Sequence, residues 1–152
     1  MKIIEALRQG DVSALKEMAK ADPEILRQKD ERGFPPIVLA AYSNQSSAVQ
    51  YLIDQGVDID AKDAAGNTAL MGVSFKGYTD IAKVLILAGA DVNATNGNQA
   101  TALIYAAIFG HLDLAQLLLD HGADASMVDA NGKKALDHAR ISGVRPVIQL
   151  LS

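Results

Sequence analysis

Asp30, Asp63, Asn96 and Asp129 each open a segment that aligns with the next, without a gap, at a spacing of 33 residues. A fixed period of this length means one small supersecondary unit used repeatedly, because no unit of that size buries its apolar face alone. In this register Ile37, Leu70, Leu103 and Leu136 form one column. Gly56, Gly89 and Gly122 form another, followed by Val57-Asp58, Ala90-Asp91 and Ala123-Asp124. Such a chain stacks in one dimension, each unit touching its neighbours and little else.

Each unit reads as two short helices and a turn. Thr68 and Thr101 are placed to cap the first helix, and Pro36 suits a first helical position, where a missing N–H costs nothing. That helix is predicted to end at Asn44, Gly77, Gly110 and Gly143. The second opens with Thr79-Asp80 or Leu112-Asp113, runs for about eight to ten residues, and closes at glycines suited to a left-handed cap, Gly89 and Gly122. Neither helix is long enough to persist alone. Gly72, inside a predicted helix, is expected to make room for a bulky neighbour, Tyr105 of the next unit.

With the TAL segments at Thr68 and Thr101, Gly110-His111, and GADVNA from Gly89 in register, the chain resembles the ankyrin-repeat family over nearly its whole length. The resemblance implies an all-α solenoid of helix-turn-helix units joined by hairpin loops. It divides a single domain, 1–152, into an N-terminal capping repeat (1–29), internal repeats (30–62, 63–95, 96–128) and a C-terminal capping repeat (129–152). Three departures stand out. The tetrapeptide that normally carries a histidine is PPIV, TALM, TALI or KALD; Gln99 replaces the glycine found at Gly33, Gly66 and Gly132; Asp60 and Ser126 replace the asparagine kept at Asn93. Gln99 predicts a differently shaped third hairpin tip.

Composition narrows the function. A net charge of -4 gives no overall attraction to nucleic acid or an anionic membrane, and no apolar run approaches the length of a span. There is no cysteine, so disulfides, thiolate metal sites and a cysteine nucleophile are excluded. With no apolar signal core at the N-terminus, a cytoplasmic location is expected. His111 is expected to make a structural hydrogen bond to a neighbouring loop, His121 to complement a helix C-terminus in solvent, and His138 to pack on a helix face. Nothing pairs a nucleophile with a base or assembles a ligand set, so neither catalysis, a metal nor a cofactor is expected.

The resemblance also implies a concave surface, built from hairpin tips and the exposed face of the first helices, that binds other proteins. Carried over position by position, its main candidates are Arg8, Arg32, Phe34, Tyr42, Lys62 and Asn67, then Phe75, Lys76, Asn98, Ile108, Phe109, Lys133 and Ile141. Tyr42, Phe75, Ile108 and Ile141 share a column, with Phe109 beside it, and predict an apolar stripe. Two roles are open to it: an interaction site, or packing between neighbouring first helices. Arg8, Lys29, Arg32, Lys62, Lys76 and Lys133 face a single acid in these columns, Glu31, so an acidic patch on the partner is expected. The expected protein is a monomeric, non-catalytic binding module. Its alternatives are a self-associating structural protein and an accessory subunit of an enzyme.

Overall fold

The computed structural model describes residues 1–152 as ten short α-helices with no strand. They are α1 Ile3–Gln9, α2 Val12–Ala21, α3 Pro36–Tyr42, α4 Ser46–Asp54, α5 Ala69–Lys76, α6 Thr79–Leu87, α7 Ala102–Ile108, α8 Leu112–Asp120, α9 Ala135–Ser142 and α10 Arg145–Leu151. A 3-10 turn, Pro23–Leu26, follows α2.

Local chemistry accounts for the helix ends. Thr68 Oγ1 accepts from the Met71 amide at 3.3 Å and Thr101 Oγ1 from the Ile104 amide at 3.2 Å, while Pro36 begins α3. Lys134, in the same column, has an ammonium with nothing to accept with. Half of a cap survives there, because the Asp137 carboxylate accepts from the Lys134 amide at 2.8 Å.

The odd-numbered helices pack in one row, α1 to α9, and the even-numbered helices in a second row behind them. Small side chains let the first row close up: Ala40, Ala41, Ala106, Ala107 and Ala139 are fully buried in it. Helix α3 is buried from Pro36 to Ala41, whereas α4, α6 and α8 each keep an exposed outer face. Ile37, Leu70 and Leu103 are all about 1% exposed, and burying such a side chain stabilises by roughly 1.5 to 3 kcal/mol.

Units are also joined through polar atoms. Gly77 turns left-handed at φ 81°, and the His111 ring of the next unit lies directly over it, so that an added Cβ would meet the ring at 2.7 Å. From there His111 Nε2 donates to the Phe75 carbonyl at 3.1 Å, the structural role expected of it; because a carbonyl only accepts, Nε2 must carry the proton. Gln45 covers Gly10 and donates to the Arg8 carbonyl at 2.8 Å; Val144, which has nothing to donate, covers Gly110. Behind the hairpins, Asn93 accepts from the Asp124 amide and donates to the Gly122 carbonyl. Asp60, lacking a donor, manages only the first of these, to the Asp91 amide. Ser126 bonds instead to its own Asp124, holding that carboxyl below its usual pKa through the hydroxyl and then the amide.

Two expectations fail in detail. The third hairpin tip keeps the shape of the others, because Gln99 adopts the left-handed conformation itself, φ 58° against 84°, 84° and 74° at Gly33, Gly66 and Gly132. And Gly72 makes room for Tyr42, not Tyr105: a Cβ there would lie 3.1 Å from Tyr42 Cε2. Helical side chains lean towards the N-terminus, so Tyr42 covers the neighbouring helix one turn before its own column partner, Phe75.

Candidate functional site

Four hairpins line one side of the stack, all built the same way. Asp30, Asp63, Asn96 and Asp129 each use Oδ1 to accept two amides, two and four residues ahead, at 2.9 to 3.0 Å. Asn96 alone can also donate. Its Nδ2 reaches Asn67 Oδ1 and the Tyr105 hydroxyl, both at 2.8 Å, fixing two side chains on this face.

Between these tips and the ends of α1, α3 and α5 runs an open groove of about 560 Å³. It gathers Arg8, Arg32, Phe34, Tyr42, Asn67, Phe75 and Lys76, seven of the residues expected from sequence. A smaller recess of about 140 Å³ shares Tyr42, Asn67 and Phe75 with it and is completed by Met71 and Tyr105.

The aromatic column is not one uniform stripe. Tyr42 lies half-buried against the space left by Gly72. Phe75 bears the same relation to Tyr105 and finds a ring there, with centroids 6.3 Å apart and planes at 75°. Propped on that ring, Phe75 stays 41% exposed and meets Phe109, 45% exposed, edge-to-face at 4.5 Å. Ile108 is half-buried and Ile141 is 68% exposed.

Charge is distributed unevenly. Arg8, Arg32 and Lys76 form no ion pair within the chain, whose close pairs are Lys20 with Glu17 and His138 with Asp129. The Arg32 guanidinium sits 5.1 Å over the Phe34 ring. Asp63 is the groove's one carboxylate. Burial, then the Asp63 charge, then Tyr105 push the Tyr42 phenol above its ordinary pKa, so its hydroxyl remains a proton donor.

The other candidates lie apart from the groove. Lys62 Nζ is held on the Thr95 carbonyl at 2.8 Å and ties successive hairpins together. Asn98 gives its backbone carbonyl to the Ala130 amide, and Lys133 is exposed on the fourth tip. His121 lies at the C-terminus of α8, bonded to the Leu117 carbonyl at 3.0 Å. His138 does not simply pack: it meets Asp129 Oδ2 at 2.6 Å. Burial raises the Asp129 pKa, but hydrogen bonds from His138, Lys133 and Asn131 more than reverse that and hold it below the usual range. Tyr105 and Met71 were missing from the sequence-derived set. The signal for Tyr105 was Gly72 in its own column, which marks where ring and space alternate.

No three His, Asp or Glu side chains gather as a metal would need, and no helix is long and apolar enough to cross a membrane.

Comparison with known proteins agrees with this architecture. The family description "Ankyrin repeats (3 copies)" matches residues 3–96 and 70–152. Among curated proteins, "Ankyrin repeat and SAM domain-containing protein 6" from Rattus norvegicus is 34% identical over 74 residues, 48% of this chain and 8% of the relative. The Mus musculus protein of the same name matches to the same extent. The chain therefore spans a small fraction of the length of these relatives.

Proposed function

This chain belongs to the ankyrin-repeat family, and from that premise we propose that it is a non-catalytic module binding another protein through a concave face formed by the hairpin tips and the ends of the first helices. Repeats of this family are generally protein-protein interaction modules and typically non-catalytic. The observation that carries the reading is Phe75 and Phe109, two nearly half-exposed rings in mutual contact beside cations with no ion pair within the chain. Exposed aromatic surface next to Arg is the composition of a binding hot spot.

Mechanistically, the face is preorganised. Phe75 is held by Tyr105, Phe109 by Phe75, and the tips by the two amides that each Asp or Asn Oδ1 accepts, so docking orders few groups and loses little conformational entropy. Arg8, Arg32 and Lys76 accelerate encounter with an acidic surface. The test is crosslinked capture from native extract, with Phe75→Ala and Phe109→Ala as matched baits. Each is expected to weaken capture of the specific partner by about 2 kcal/mol or more, with thermal melts close to wild type. Undiminished capture by both variants would refute the face.

A further inference from the structure

The groove's charge and donors specify more than a generic protein surface. Three cations and one carboxylate line it, a net of +2 in a chain of -4. Eighteen acidic residues are present in the chain, yet none pairs with Arg8, Arg32 or Lys76. Asp63, the exception inside the groove, already has Oδ1 occupied by the Ala65 and Asn67 amides. An occupant carrying carboxylates would therefore supply the counter-charges that the fold omits.

The adjoining recess adds shape and polarity. Phe75, Met71 and the Tyr42 and Tyr105 rings make its apolar walls. The Tyr105 hydroxyl accepts from Asn96 and keeps its own proton to give. No buried polar side-chain atom lacks a partner, so the unpaired Tyr42 hydroxyl opens to solvent. An aliphatic side chain fits these walls, and carbonyl oxygens beside it would accept from the two phenols.

Resting on the protein-binding reading above, we propose that this groove takes an extended acidic segment of a partner, with one aliphatic side chain seated in the recess between Tyr42, Phe75 and Tyr105 and flanking carboxylates on Arg8, Arg32 and Lys76. Both features are needed for recognition: the cations draw the segment in and the recess fixes its register.

Fluorescence anisotropy with labelled synthetic peptides tests this on the full chain. The probe is a flexible peptide of glutamate and serine with one central leucine, compared with a serine-for-leucine version, a lysine-for-glutamate version and a labelled oligouridine. The glutamate-leucine peptide is expected to bind. Arg8→Glu with Lys76→Glu should weaken it by about tenfold, as should raising salt. Loss of the leucine should weaken it by about thirtyfold. Gly72→Leu, which displaces Tyr42, should weaken it too; if that variant fails to fold, Asn67→Ala, at a half-buried hairpin position lining the recess, serves instead. The proposal is overturned by no binding, by equal binding of the lysine peptide, by preference for the oligouridine, or by indifference to the leucine. A domain that ignores the peptide while still capturing its partner through Phe75 and Phe109 loses only this inference. One that binds the peptide but captures independently of those rings loses only the broader reading.

Discussion

The third and fourth units share a frame and differ in what fills it. Helix α7 has a threonine cap, five buried side chains and neighbours on both sides; α9 begins at an ammonium and buries two side chains, and α10 buries only Val147. The same column holds Leu103, about 1% exposed, and Leu136, which is only half-buried. Equal sequence position is thus unequal energy, because stability in a stack is set largely by what lies on either side of a unit.

The largest expected effect breaks this comparison directly. Leu103→Ala should cost about 3 to 5 kcal/mol and Leu136→Ala less than about 2, since the latter leaves little cavity. Denaturant melts measure both, and native-state hydrogen exchange should run fastest in 129–152. Equal losses would mean that the fourth unit is as tightly packed as the third.

Acid should separate the units next. Asp129 has a depressed folded pKa, so its stabilisation is fully present above the unfolded carboxylate value, about 4, and is lost as pH falls through the lower folded value. Asn96, its counterpart in the third unit, does not titrate. Below about pH 4, exchange protection around α9 should fall before that around α7, and Asp129→Asn should abolish the pH dependence of the difference. Simultaneous loss in both units would disconnect it from Asp129.

Smaller effects sharpen the contrast. Lys134→Thr supplies the missing side-chain cap and should stabilise by about 1 kcal/mol in thermal melts, narrowing the gap. Gln99→Gly should stabilise the third hairpin by somewhat less than about 1 kcal/mol, since the left-handed conformation is strained for glutamine while glycine loses more entropy on folding. Destabilisation would show that the Gln99 side chain contributes more than its backbone costs.

The helices, their caps and the columns were readable because spacing, threonine, proline and glycine act locally. The partner of Gly72 was not, because an alignment puts Tyr105 in its column while the lean of a helical side chain brings Tyr42 of the preceding unit over it. Gln99 misled for a related reason: residue type suggests a preferred backbone, but the hairpin's own hydrogen bonds impose one. The candidate face was legible as a list of positions. What alignment could not supply was their grouping, with Arg8, Arg32 and Lys76 sharing a groove while Lys62 is tied to Thr95.

The side chains laid over the turn glycines give the stack a reading direction. His111 over Gly77 answers the Phe75 carbonyl, whereas Val144 over Gly110 has no donor to offer and Ser142 bonds to the Ile108 carbonyl instead. Excising one whole period, 96–128, would splice the chain with every column aligned and every helix intact. It would also set Val144 on Gly77, in a seat shaped for an imidazole. The repeats are alike enough to count but not to exchange: each is addressed to the one that follows it.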